Sequence, residues 1–214
     1  WIPELSGNLF VCDPTAQLIT RNRIVEKGGS FEARRIGERR DFLVSSDEWC
    51  RPVNLRNGPD GALYICDMYR RFIDHAIYFP DEFTRSNYMR AGLDHGRIWR
   101  LAPRDTRPRR VLPLPEDPAD LVEELASPIS WRRLNAQRLL VTNHQSAPLN
   151  KLTAMLGSRS EVGRLHAFCT LQGVHRRNGT ELPEKALTLV LKDPSPGVIE
   201  NALLLAGHRP TIKK

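Results

Sequence analysis

The chain has no long apolar run: nothing approaches the roughly 20 residues a bilayer-spanning helix needs, so no membrane span is expected. It also lacks the spacings that give cysteine its chemistry. Cys12, Cys50, Cys66 and Cys169 form neither a CxxC nor a CxxCH pattern, which excludes covalent haem attachment here and leaves them reading as small buried hydrophobes. The even count permits disulfides in an oxidising compartment, but the spacing selects no pairing. A starting Met and a signal-peptide pattern are missing too. Trp1-Ile2-Pro3 opens directly into strand-like sequence, as an internal fragment would. Charge of one sign is not concentrated either. The formal net charge is +7, yet residues 1–104 carry 16 Lys+Arg against 14 Asp+Glu and the remainder 16 against 11. Only Arg104, Arg107, Arg109 and Arg110 cluster, beside prolines, which reads as a solvated linker, so no nucleic-acid partner is expected. In the second half His144, His166, His175 and His208 are scattered, no two candidate ligands recur at i, i+4, and no metal site is expected.

What the chain does have is ordinary for a soluble globular protein of one large or two small domains: 40% hydrophobic and 27% charged residues in 214. Its densest stretch runs from Trp49 to His75. Arg51 to Leu55 alternates apolar and polar, Asn57-Gly58-Pro59-Asp60-Gly61 tolerates tight-turn dihedrals, and Ala62 to Cys66 is apolar with aromatic and β-branched members. That predicts strand, turn, strand. The second strand runs straight into Asp67, Tyr69, Arg70, Arg71, Asp74 and His75, more ionisable groups than a core strand needs.

A repeat lies across this stretch. Gly7-Asn8-Leu9-Phe10-Val11-Cys12-Asp13 matches Gly61-Ala62-Leu63-Tyr64-Ile65-Cys66-Asp67, and Leu18-Ile19 falls on Phe72-Ile73 at the same offset. A period near 50 built of short strands predicts propeller blades. In the first unit strands are expected near 7–12, 17–25 and 40–45, with Gly28-Gly29-Ser30 as a turn. The second unit carries an insertion, Tyr78 to Asp94, with Phe79, Phe83, Tyr88 and Met89. It is either a flap packed on its own unit or a lid over a site. Alternation resumes at Gly96–Leu101.

Between Pro103 and Pro118, prolines at 108, 113 and 115 and four arginines break any regular element. Beyond them Asp117 and Ser130 read as helix caps, and helices are expected over 121–126, 131–141, 149–156, 162–172, 183–191 and 197–206. Leu134, Ala136, Leu139 and Leu140 are placed on one face. Arg133-x-x-Ala136-x-x-Leu139, Arg164-x-x-Ala167-x-x-Thr170 and Ile199-x-x-Ala202-x-x-Leu205 share a small residue one turn before a larger one, a loose period that resembles HEAT repeats, with an irregular helical bundle as the alternative. Asn178-Gly179-Thr180 matches the glycosylation pattern, which is short enough to arise by chance. The fold expected is therefore multidomain, β then α: the last blades of a β-propeller over 1–104, a Pro/Arg-rich linker over 105–116, and HEAT-like helical repeats over 117–214.

Arg51-Pro52-Val53, Gly58-Pro59-Asp60-Gly61-Ala62-Leu63-Tyr64 and Gly96-Arg97-Ile98-Trp99-Arg100 resemble the closing blades of soluble quinoprotein sugar dehydrogenases. With the Cys66-Asp67-Met68-Tyr69-Arg70 segment and the trailing helices, the chain more closely resembles the large secreted "membrane-bound dehydrogenase" or haem-binding proteins of planctomycetes. The resemblance implies a periplasmic or secreted quinone-dependent sugar or alcohol oxidoreductase. Pyrroloquinoline quinone, calcium and c-type haem would belong to the full-length protein, none of them to this fragment, and the missing blades of the parent chain would be its partner. About two blades alone would be inactive. The competing reading is a non-catalytic scaffold that binds glycans or partner proteins.

Comparison of the two repeat units places the candidate site. Asp13 and Asp67 match, but Thr15 becomes Tyr69, Ala16 becomes Arg70 and Arg21 becomes His75. A phenol, a fixed cation and a group titrating near neutrality are thus added to one unit only. His75 and Arg70 are the candidate catalytic pair. Asp67 and Tyr69, with Arg51 as a second cation and Trp49 as a sugar-stacking surface, would hold a cofactor or substrate. The bland alternative is that Arg70 and Arg71 pair with Asp67 and Asp74 in an ordinary salt-bridge network.

Overall fold

A computed structural model of the chain describes residues 5–28, 30–37, 39–104 and 110–207. Trp1-Ile2-Pro3, Gly29 of the expected turn, residues 105–109 of the expected linker and His208 lie outside the described residues. The chain divides into two compact units, Trp1–Pro108 and Arg109–Lys214.

In the N-terminal unit the strands are β1 (Asn8–Asp13), β2 (Leu18–Lys27), β3 (Ser30–Arg35), β4 (Leu43–Val44), β5 (Pro52–Asn57), β6 (Leu63–Asp67) and β7 (Arg97–Leu101), with one short helix, α1 (Asp81–Thr84). They build two small antiparallel sheets, one ordered β1-β2-β3 with β4 also on β2, the other β5-β6-β7. The expected propeller blades are not found, because these sheets are neither closed nor arranged as a propeller. The match of Gly7–Asp13 with Gly61–Asp67 reports a local motif, a strand ending in a carboxylate-capped turn, that recurs without a blade around it. In the first sheet the long β2 is shared: Leu18 and Ile19 pair with β4, whereas Asn22 to Lys27 pair with β3. In the second, residues 68–96 separate β6 from β7 with two single-turn 3-10 helices and α1. β3 falls where no strand was expected. Its sequence, SFEARR, is half charged and mostly exposed, and pairing with β2 overrides its weak propensity. The inserted segment carries an aromatic cluster, with Phe72, Phe79, Phe83 and Tyr88 in a chain of ring contacts at 5.1–6.0 Å.

The C-terminal unit contains α2 (Pro118–Glu124), α3 (Ser130–Thr142), α4 (Leu149–Met155), α5 (Glu161–Arg177), α6 (Glu184–Val190) and α7 (Pro196–Gly207). Asp117 caps α2 by accepting the Ala119 N–H at 2.8 Å, and Ser160 caps α5 through Gly163. Helices of 7, 13, 7, 17, 7 and 12 residues succeed one another as three short–long pairs, and α3, α4 and α7 all pack on α5. Phe168, Leu171 and Val174 of α5 are fully or almost fully buried with Ala136, Leu140 and Leu152. Leu134 is not on that face; it is 58% exposed. Helices α3 and α5 approach closely at Gly173, where an added Cβ would stand 2.7 Å from Val141 Cγ2. Two bidentate ion pairs brace the unit, Arg164 to Asp193 at 2.7 and 2.9 Å and Arg132 to Glu124 at 2.7 and 2.6 Å.

One titrating group lies inside this packing. His166 Nδ1 sits 2.7 Å from Gln137 Oε1. Burial, and then the nearby Arg133 charge, push the imidazole below its ordinary value of 6.5. As pH falls through that value the unfolded chain takes up a proton that the folded form resists, so stability present at neutral pH is lost in mild acid. Urea unfolding of the full chain followed by far-UV circular dichroism should show the helical transition at lower denaturant in mild acid than at neutrality. His166→Gln should flatten that dependence; a wild-type midpoint that does not move would refute it.

Candidate functional site

The site grows from the turn between β5 and β6. Gly58 N–H donates to Ala62 O at 2.8 Å and Gly61 N–H to Gly58 O at 2.9 Å. The Tyr64 ring lies so close over Gly58 that an added Cβ would meet it at 2.1 Å, so the turn takes glycine there. Asp60, buried beneath, accepts from Ala62 N–H at 3.1 Å and Arg100 Nε at 2.7 Å. This fixes the register of β6 against both neighbours and sets Asp67 opposite Arg97, and Ile65 opposite Trp99. Arg97 and Trp99, two apart on β7, therefore share a face with Asp67.

Asp67 is 2% exposed and accepts five hydrogen bonds. Its Oδ1 takes the backbone N–H of Arg51 at 2.8 Å and of Tyr69 at 2.9 Å. Its Oδ2 takes Arg97 Nε at 3.1 Å, Arg97 Nη2 at 2.9 Å and Trp99 Nε1 at 3.1 Å. Burial alone would raise the carboxyl's pKa, but the donors from Arg51, Trp99, Arg97 and Tyr69 together outweigh it and hold it below the ordinary 3.8.

The chain then turns back sharply. Tyr69 has φ +51°, an uncommon conformation for a bulky residue, held by the hydrogen bond to Asp67 and by the facing segment. Gly92, itself at φ +91°, comes so near that a Cβ there would lie 2.4 Å from Tyr69 O. Arg70 Nη1 closes the contact by donating to Gly92 O at 2.5 Å. With Tyr69 so turned, the Arg97 guanidinium lies 4.0 Å over its ring and 4.8 Å over Trp99. Trp49 approaches Tyr69 at 5.8 Å and His95 approaches it at 6.0 Å. Asp47 completes the rim: Oδ1 accepts Trp49 N–H at 3.0 Å and Oδ2 accepts Arg97 Nη2 at 3.2 Å. Arg97 Nη1 has no hydrogen-bond partner among the described residues.

Of the residues singled out from sequence, Asp67, Tyr69 and Trp49 come together here. Arg51 has a different task. Buried, it donates to four backbone carbonyls, Arg70 and Arg71 at 2.8 Å, Pro14 at 2.9 Å and Thr15 at 3.3 Å, and so straps the turn after β1 to the segment after β6. Among the described residues Arg70 likewise bonds only backbone oxygens, so neither guanidinium pairs with Asp67. His75 is exposed and accepts the Ile77 N–H at 3.1 Å as the cap of a single 3-10 turn, with no hydrogen bond to the Asp67 network among the described residues. Asp13, the repeat equivalent of Asp67, is a turn cap alone, accepting Thr15 N–H at 3.1 Å and Ala16 N–H at 2.9 Å. Sequence reasoning missed Arg97, Trp99, His95 and Asp47. The signal was Arg97-x-Trp99, an i, i+2 pair on a strand expected to lie beside the one ending in Asp67.

Among the described residues no group of three or more His, Cys, Asp or Glu is placed to hold a metal, and no helix is long and apolar enough to cross a membrane. The four cysteines are free, and burial foremost pushes the thiols of Cys12, Cys50 and Cys169 up, away from nucleophilic thiolate. A family profile described as a domain of unknown function (DUF7133) matches residues 1–105, a stretch that contains every residue of this site. No curated protein and no solved structure matches the chain.

Removing half of the carboxylate's acceptor capacity tests the network. Asp67→Asn should cost about 3 kcal/mol of stability by leaving buried donors and the Arg97 charge short of a partner, read as a lowered denaturation midpoint for the N-terminal unit. The contribution of Asp67 to this unit's stability should be fully present above pH 3.8 and be lost as pH falls further, because the folded carboxyl resists a proton that the unfolded chain accepts. An Asp67→Asn midpoint equal to wild type would show that the network carries no net stability.

Proposed function

We propose that the N-terminal unit is a non-catalytic binding module for a neutral, hydroxyl-rich ligand, a carbohydrate, held on the Trp49, Tyr69, Trp99 and His95 surface around Arg97. The observation that supports it is the unused Arg97 Nη1, presented between two aromatic rings by a guanidinium that two carboxylates already anchor. A sugar needs ring C–H groups against π faces and hydroxyls against fixed donors and acceptors. Trp99, 48% exposed, offers the face. Arg97 Nη1 offers the donor, and Asp47, whose side chain is 39% exposed, offers the acceptor. Asp67 and Asp47 neutralise the arginine, so an anionic ligand gains little there.

General acid–base chemistry finds no such support. Asp67 is buried with its pKa held down, and His75 points its Nδ1 at a backbone N–H. The oxidoreductase resemblance fits this reading only in part: in such an enzyme this surface would hold the sugar, and the redox step would fall to groups outside it.

Titrating the full chain with a panel of neutral mono- and oligosaccharides, and reading tryptophan fluorescence, should give a saturable change. Trp99→Ala should weaken it about tenfold, the loss of one stacked ring. Trp99→Phe, which keeps a ring but not the indole N–H, should retain most of it and guards against a mere folding defect. Absence of saturable binding across the panel, or equal affinity in Trp99→Ala, would overturn the proposal.

A further inference from the structure

The chain contains two Asn-Gly pairs, Asn57-Gly58 and Asn178-Gly179, and they stand in opposite surroundings. Asn-Gly is the dipeptide most open to self-modification, since a glycine nitrogen without a neighbouring side chain can approach the asparagine amide carbon. At Gly58 that approach is blocked. The glycine is buried under the Tyr64 ring, its N–H is bonded to Ala62 O at 2.8 Å, and its own carbonyl accepts Gly61 N–H at 2.9 Å. Asn178 is the exposed C-terminal cap of α5, and its side chain has no hydrogen bond among the described residues. Gly179, at φ +68°, has nothing within 4 Å of where a Cβ would stand, and its N–H holds only a longer bond of 3.2 Å to Arg176 O. A helix end of this kind opens locally at far lower cost than a strand-joining turn in a sheet.

We propose that Asn178 is a site of spontaneous covalent modification in the folded protein and that Asn57 is protected. The Gly179 backbone nitrogen attacks Asn178 Cγ, forming a C–N bond. The Cγ–Nδ2 bond breaks, and ammonia leaves carrying the proton that the backbone nitrogen gives up. Water then opens the resulting succinimide at either carbonyl, giving aspartate or isoaspartate. No electrons change hands. The product places a new negative charge at the C-terminus of α5, where the helix dipole disfavours it, although His175, Arg176 and Arg177 of the last turn offset part of that cost. Isoaspartate also lengthens the backbone by one carbon, which breaks the cap bonds of Asn178 N–H to Val174 O and Thr180 N–H to His175 O. The helical unit therefore carries a built-in site of ageing at the end of its central helix.

The experiment is incubation of the folded full chain in mildly alkaline buffer, with peptide mapping by mass spectrometry and isoaspartate detection at intervals, beside the same chain in denaturant. In the folded protein Asn178 should convert roughly tenfold or more faster than Asn57, whereas in denaturant the two should converge, because only the local opening cost separates them. Asn178→Gln should remove the isoaspartate signal from that peptide. Equal rates in the folded chain, or faster conversion at Asn57, would overturn the proposal.

Discussion

A single buried carboxylate organises the N-terminal unit. An isolated charge inside a protein costs several kcal/mol, and Asp67 is tolerated because five donors from four residues on three segments converge on it. Each donor fixes something else. The Arg51 N–H locks the start of β5, the Tyr69 N–H sets the reversal after β6, and the Arg97 and Trp99 side chains tie in β7. Taking away the charge frees the reversal, and with it the orientation of Tyr69 and the stack around Arg97. Surface chemistry here is a by-product of solving a desolvation problem beneath it.

The helical unit solves its problem by other means. Its core is apolar, centred on Phe168, Leu171 and Val174, and its two bidentate ion pairs lie at loop and helix boundaries. The small residues that suggested a repeat, Ala136, Ala167 and Ala202, are all fully buried. Close approach of helices explains their burial.

Sequence made some of this legible and some not. β1, β5 and β6 stand out because alternation and turn residues act over a few positions, and the helices after Asp117 stand out through caps and apolar spacing. The propeller expectation failed because a strand followed by a capping carboxylate is a local device, whereas closure depends on how whole sheets pack, which no short motif encodes. At the site, proximity in sequence misled twice. His75 lies eight positions from Asp67 yet serves a neighbouring 3-10 turn, while Arg97, 30 positions away, supplies the partner charge through β6–β7 register. Arg51 looked like a ligand cation, and its burial among four carbonyls shows a strap; a lone arginine at a strand start gives no sign of which it is.

Gly92 turns this geometry into a diagnostic. Its hydrogen atoms stand where any side chain would run into the carbonyl of Tyr69, so the left-handed turn and the glycine 23 positions later imply one another. A related chain with alanine or larger at the position of Gly92 must route its backbone differently after β6, and its aromatic residues cannot gather around an arginine in this way. One glycine thus sorts relatives into those that could share this surface and those that keep only the sheet beneath it.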